Sequence, residues 1–66
     1  MPSSVIKRYE YTVTASSLRI WYLSGAIYDY QDVPPKVFNE FKNALSKGSY
    51  LNRCIKGRYG FKKVMA

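Results

Sequence analysis

Apolar and polar side chains alternate over much of the first thirty residues, as they do in β-strands with one buried face. Residues 4–11 are rich in β-branched and aromatic side chains, with Val5, Tyr9 and Tyr11 at positions of one parity. Residues 12–17 follow as a polar connection. The alternation therefore predicts that the chain begins with a β-strand.

The same alternation gives a second strand, residues 18–23, two different faces. Its two sets of side chains are Leu18, Ile20 and Tyr22 on one face and Arg19, Trp21 and Leu23 on the other. Gly25 can supply the positive φ of a hairpin turn, and residues 26–32 then form the returning strand. We therefore predict a three-stranded antiparallel meander.

After residue 33 the apolar spacing changes to that of a helix. Pro34 and Pro35 suit a first helical turn, where the missing N–H leaves no hydrogen bond unmade. The apolar stripe that follows comprises Val37, Phe38, Phe41, Ala44 and Leu45. We predict that Gly48 ends this helix and that Ser49 caps a second, shorter one.

The second helix is predicted to end at Gly57, with Tyr50, Leu51, Cys54 and Ile55 on its buried side. Residues 58–64 have a weak strand pattern. The predicted fold class is α+β in the order β-β-β-α-α, with or without a short C-terminal strand, as a single domain over residues 1–66. The helices would cover one face of the sheet, leaving the face of Arg19 and Trp21 open.

The charge of the chain is concentrated in its last 26 residues. The net charge is +7, and residues 1–40 hold four basic and four acidic side chains. Residues 41–66 hold seven basic side chains and no acidic one. Such an asymmetry indicates a phosphate-bearing partner, although solubility alone can also produce it.

The composition limits the chemistry. The chain has no histidine and one cysteine, so His-based catalysis, His metal ligands, a zinc site and an internal disulfide are excluded. We expect no cofactor and no enzymatic activity. Cys54 suits a reducing compartment, and no apolar run approaches the roughly 20 residues of a membrane span. We therefore expect a cytoplasmic protein, in the host cytoplasm if a phage encodes it.

Several separated segments resemble the KTSC domain, a small bacterial and phage family named for the C-terminus of some lysyl-tRNA synthetases. The matching segments are SSVI at 3–6, Tyr11, Ser24-Gly25, YDY at 28–30, VP at 33–34 and SKGSYLN with IKGRY within 46–59. The resemblance runs from Ser3 to about Val64. The chain departs from the family pattern at Thr12, where an acid or amide is usual, and at Leu51, where an aromatic residue is usual.

The resemblance implies a stand-alone module with a central Y-x-Y motif, here Tyr28 and Tyr30. The usual suggestion for the family is RNA binding, and its function is not established. The leading hypothesis is therefore a non-catalytic module that binds single-stranded nucleic acid, RNA above all, or small nucleotides. The residues expected to bind phosphate are Lys47, Arg53, Lys56, Arg58, Lys62 and Lys63; those expected to contact bases or sugars are Tyr28, Tyr30 and Tyr59.

Two other functions remain open. A homo-oligomer could act as a phage-type sponge that sequesters a small nucleotide immune signal. Alternatively, the domain could be an adaptor that docks an acidic protein. Arg19 and Trp21 suit either stacking on a base or an interface between subunits, because tryptophan is common in both settings. A domain of 66 residues has marginal stability alone, which makes self-association plausible.

Overall fold

The computed structural model describes residues 6–64 and contains a four-stranded antiparallel sheet in the order β1-β2-β3-β4. The strands are β1 (Ile6–Thr12), β2 (Ser17–Tyr22), β3 (Ile27–Tyr30) and β4 (Phe61–Val64). The prediction of a three-stranded sheet is therefore wrong. All four residues of β4 pair with β3, and its short sequence with two lysines carries little β-pattern. Val5 lies outside the described residues.

A β-bulge interrupts the pairing of β1 with β2. Ile6 lies opposite Tyr22, whereas Arg8 lies opposite Trp21, so β1 holds one extra residue at this point. Such a bulge reverses the parity of the strand locally. Consequently Ile6 is buried on the same side of the sheet as Tyr9, which the alternation alone would not predict.

The first helix is shorter than its apolar stripe suggests. Helix α1 spans Pro35–Lys42, and the backbone leaves the helix at Asn43, with φ −95° and ψ 1°. Leu45 therefore lies beyond the helix and is fully exposed. The predicted end at Gly48 is wrong, because Asn and Ser side chains compete with the helical backbone before that glycine is reached.

The second helix begins earlier than predicted. Helix α2 spans Lys47–Tyr50, and its N-cap is Ser46, whose Oγ accepts a hydrogen bond from the backbone N–H of Ser49 at 3.3 Å. The predicted cap at Ser49 is therefore wrong. No helix within residues 6–64 is long and apolar enough to cross a membrane.

Helix α2 continues into one π-helical turn over Leu51–Ile55. The backbone N–H of Lys56 donates to the carbonyl of Leu51 at 2.7 Å, which spans five residues instead of four. The chain then leaves the helix, with Gly57 at φ 82°. Leu51 and Ile55 both stay buried across this wide turn, as the predicted apolar face requires.

The core lies between one face of the sheet and the two helices. Leu18, Ile20 and Tyr30 contribute from the sheet, while Phe41 is fully buried from α1. The Phe41 ring meets Tyr9 edge to face, with centroids 5.1 Å apart. The eight buried residues are Ile6, Leu18, Ile20, Tyr30, Val33, Phe41, Leu51 and Ile55. One face of the sheet thus packs against the helices, whereas the side chains of the other face lie outside this core.

Candidate functional site

Four aromatic rings meet on the helix side of β2, β3 and β4. Tyr28 packs edge to face against Tyr22 at 5.5 Å and against Phe61 at 5.2 Å between ring centroids. Tyr30 lies beneath them, 5.8 Å from the Phe61 ring, and is almost completely buried. The antiparallel register explains the cluster, because Tyr30 pairs with Phe61 and cross-strand partners share a face.

Phe61 is 59% exposed although its ring contacts two tyrosines. Two lysines flank these rings. Lys63 pairs with Tyr28 in the sheet and so shares its face, and the Lys56 ammonium lies 5.8 Å from the centroid of the Tyr22 ring. We call the set Tyr22, Tyr28, Phe61, Lys56 and Lys63 the aromatic surface. Accessible rings beside cations are the features with which proteins hold bases next to phosphates.

The tyrosine hydroxyls beneath this surface satisfy each other. The hydroxyls of Tyr22 and Tyr30 are hydrogen-bonded at 2.8 Å. Burial, reinforced by this hydrogen bond, raises the pKa of Tyr22 well above its ordinary value, and burial also raises the pKa of Tyr30. Both groups are therefore neutral at physiological pH and are poorly suited to act as bases.

The six cations predicted to bind phosphate do not form one site. Lys62 and Lys63 point to opposite faces of the sheet because they are neighbours in a strand. Lys62 lies beside Asp29, whose pKa it helps to lower. Arg58 is exposed in the turn before β4, and Lys47 is the first residue of α2.

Arg53 belongs to a second location, an open groove of about 390 Å³ between α2 and the segment that precedes it. The residues that line this groove are Ala44, Leu45, Ser46, Ser49, Tyr50, Arg53 and Cys54. The Tyr50 hydroxyl donates to Glu40 at 2.9 Å, and burial together with this bond raises the pKa of Tyr50 to about 12. Because none of the residues that line the groove belongs to the aromatic surface, the two are separate locations.

The three predicted base-contacting tyrosines are also separated. Tyr28 belongs to the aromatic surface, Tyr30 is 2% exposed, and Tyr59 packs against the core at the end of the helical segment. Tyr30 thus contributes a buried hydroxyl instead of an accessible ring. Phe61 and Tyr22, which the sequence analysis did not select, complete the site. Phe61 is identified by its pairing with Tyr30 in the register of β3 and β4, which the sequence alone does not give.

The opposite side of the sheet carries a different set of contacts. Arg19 donates to both carboxylate oxygens of Asp29, at 2.6 and 2.8 Å, and this bond lowers the pKa of Asp29. The guanidinium carbons of Arg8 and Arg19 lie 4.7 and 5.8 Å from the centroid of the Trp21 ring. The Trp21 ring therefore lies close to two cations.

We call this side the open face, because none of its described side chains belongs to the buried core or to the hydrophobic residues packed against that core. Its side chains form two rows that cross all four strands. One row is Glu10, Arg19, Asp29 and Lys62, and the other is Arg8, Trp21, Ile27 and Val64. Sequence parity placed Arg19 and Trp21 here but did not select their partners Arg8 and Asp29.

Comparison with known proteins defines the family. A segment of the lysine–tRNA ligase of Nostoc punctiforme is 41% identical over 61 residues, which are 92% of this chain and 11% of that enzyme. The lysine–tRNA ligase of Trichormus variabilis is 39% identical over the same share. The chain thus spans about a tenth of these relatives. A Tsukamurella paurometabola protein is 35% identical, with 86% of this chain and 85% of that protein aligned.

The crystal structure of a related protein has the same fold as this chain. A KTSC domain protein from Yersinia pestis superposes with a TM-score of 0.89 at 28% identity, covering 98% of this chain and 94% of that chain. The KTSC domain profile matches residues 2–59. Together these similarities confirm the resemblance inferred from the sequence motifs. The chain belongs to the KTSC domain family.

Proposed function

We propose that this domain is a non-catalytic module that binds single-stranded RNA at the aromatic surface. The observation that carries the proposal is the position of Phe61, which remains 59% exposed while it packs against Tyr28. An exposed ring fixed by other rings loses little conformational freedom when a base stacks on it. Base stacking on an aromatic side chain contributes about 1–3 kcal/mol per base.

The charges beside these rings favour a phosphate-bearing ligand. Lys56 and Lys63 lie on the same side of the sheet as Phe61, and Arg58 follows in the turn that leads to β4. Among residues 41–66 there is no acidic side chain to compete with phosphate for these cations. Single-stranded nucleic acid combines bases and phosphates at regular intervals, so one strand can contact rings and lysines together.

The relatives favour RNA among such ligands. The lysine–tRNA ligases of Nostoc punctiforme and Trichormus variabilis contain a segment similar to this domain, and the name of those enzymes gives tRNA as a substrate. An RNA-binding appendage would serve such an enzyme by holding its RNA. A domain of the same family can bind RNA without any ligase activity of its own.

The test is fluorescence anisotropy with labelled single-stranded RNA of about 4 to 16 nucleotides, at about 50 and 200 mM salt. We expect affinity to rise with length and to fall steeply with salt. Phe61→Ala should weaken binding about tenfold, which corresponds to the loss of one stacked base. Leu23→Ala is the matched control, since Leu23 is 64% exposed and lies in the β2–β3 turn.

Other outcomes would overturn the proposal in distinguishable ways. Displacement of RNA by one small nucleotide, with little salt dependence, would indicate a sponge that encloses a signal molecule. Equal effects of Phe61→Ala and Leu23→Ala would place binding away from the aromatic surface. An absence of binding at low salt would reject the nucleic-acid proposal and favour a protein partner.

A further inference from the structure

The open face has a charge pattern that a second copy of the chain can complement. Across the four strands, one row reads Glu10, Arg19, Asp29, Lys62, so the signs alternate as negative, positive, negative, positive. Reversing the order of this row exchanges every sign. We propose that two copies of the chain pair through their open faces about a two-fold axis parallel to the strands.

The axis follows from the register of the sheet. A two-fold axis that runs along the strands between β2 and β3 places β1 of one copy over β4 of the other. Glu10 then faces Lys62 of the second copy, and Arg19 faces its Asp29. Each contact occurs twice, as in any isologous interface.

The neighbouring row is compatible with the same axis. Trp21 of one copy faces Ile27 of the other, and Arg8 faces Val64. An aromatic residue and a β-branched residue thus meet at the centre, where interface energy is usually concentrated. Strands related by this axis run in the same direction, which suits the aligned packing of two sheets at about 30°.

A two-fold axis perpendicular to the strands is disfavoured by the same residues. When such an axis passes through this row, each strand lies over itself, so that Glu10 meets Glu10 and Arg19 meets Arg19. Like charges brought together in this way oppose association. The charge row therefore favours the axis that runs along the strands.

The dimer is expected to be weak. Four strands about 4.8 Å apart, each of four to seven residues at about 3.4 Å per residue, give a face roughly 15 Å wide and about 14–24 Å long. The area of this face is well below the roughly 800 Å² per partner of a typical stable complex. The side chains of Arg8 and Glu10 remain 64% and 58% exposed in the single chain, so this edge is accessible. Association should thus depend on concentration in the range of about 10 µM to 1 mM.

Sedimentation velocity of the protein alone, without nucleic acid, tests this proposal independently of RNA binding. Lys62→Glu lowers the net charge of +7 by two, so general repulsion between copies falls. In the proposed dimer, however, the introduced carboxylate lies against Glu10 of the second copy. We therefore expect the dimer dissociation constant to rise about fivefold in spite of the lower charge.

A charge exchange provides the decisive comparison. The double variant Glu10→Lys with Lys62→Glu restores opposite charges across the interface and keeps the net charge at +7. Its dissociation constant should return to within about twofold of the original value. Lys36→Glu, at an exposed position of α1, makes the same charge change as Lys62→Glu away from the open face and should not weaken the dimer.

Three results would overturn the proposal. The first is a monomer at every concentration. The second is tighter association of Lys62→Glu, as for Lys36→Glu, because general charge would then control association. The third is a double variant that dimerises as weakly as Lys62→Glu although its circular-dichroism spectrum shows that it is folded. A loss of RNA binding in Phe61→Ala would leave all three comparisons unchanged.

Discussion

The hydroxyl oxygens of Tyr22 and Tyr30, which lie on the neighbouring strands β2 and β3, are 2.8 Å apart. Tyr30 is 2% exposed, so its hydroxyl needs a partner within the fold. Tyr22 supplies that partner and also presents its ring to Tyr28. Tyr22 therefore has two roles: its hydroxyl satisfies the buried hydroxyl of Tyr30, and its ring forms part of the aromatic surface.

Removing either hydroxyl should leave the other unsatisfied. We expect Tyr22→Phe and Tyr30→Phe each to lower the free energy of unfolding by about 1–2 kcal/mol. The double variant should cost less than the sum, because no unpartnered hydroxyl then remains. Urea denaturation of the four proteins gives the coupling energy. Additive losses would show that the two hydroxyls do not depend on each other.

The Tyr50–Glu40 contact predicts how stability changes in alkali. The pKa of Tyr50 is raised from its ordinary value of 10 to about 12, so the unfolded chain releases this proton first as the pH rises. The stabilising effect is complete below pH 10 and is lost progressively between pH 10 and about 12. Urea denaturation across this range should show a shallower decline for Tyr50→Phe than for the unmodified protein.

Glu40→Gln separates charge from hydrogen bonding in that contact. Glutamine can still accept from the Tyr50 hydroxyl, whereas the Glu40 charge that helps to raise the pKa of Tyr50 is removed. We expect this variant to decline with a slope between those of the unmodified protein and Tyr50→Phe. Equal slopes for all three proteins would show that the Tyr50–Glu40 contact does not contribute to the loss of stability in alkali.

Two glycines should respond differently to the same substitution. Gly25 has φ 97°, in the β2–β3 turn, whereas Gly60 lies outside the left-handed region, and both have open space where a Cβ would lie. Gly25→Ala should therefore destabilise by about 1–2 kcal/mol through backbone strain alone. Gly60→Ala should be neutral or stabilise by up to about 1 kcal/mol. Thermal unfolding would reveal the difference, and equal melting temperatures would refute it.

Adjacent lysines provide a test of which side of the sheet contacts RNA. Lys63 lies on the side of Tyr28, whereas Lys62 lies on the open face with Asp29. Lys63→Ala should weaken RNA binding and reduce the log–log salt slope by about 0.7, as expected for one single-strand contact. Lys62→Ala should leave the slope unchanged at protein concentrations too low for self-association. The reverse result would move the binding site to the open face.

The sequence predicted the composition of the sheet faces better than the extent of the sheet. Leu18 and Ile20 are buried and Trp21 lies on the opposite side, as strict alternation requires. Alternation cannot reveal the extra residue between Ile6 and Arg8, because a bulge is created by the pairing of two strands. It also gave only a weak signal for β4, because the four residues of this strand pair with β3 but have little apolar alternation of their own.

The candidate site was harder to predict than the fold. Residues 46–63 are continuous in sequence, yet the structure distributes their cations among a groove, a turn and both faces of a strand. Charge density along the chain therefore overstated how many of these residues can meet one ligand. Tyr28 was found because of its motif, while Phe61 is identified only when its pairing with Tyr30 is known.

The two adjacent lysines of β4, whose side chains lie on opposite faces of the sheet, also affect aggregation. In the order β1-β2-β3-β4, this strand lies at the edge of the sheet, where backbone groups can recruit a strand from another molecule. Lys62 and Lys63 place a positive charge above and below that edge. If β4 of another copy paired with this edge, its own two lysines would lie close to Lys62 and Lys63, and the like charges would repel each other. The edge of the sheet is thus protected against indefinite strand addition.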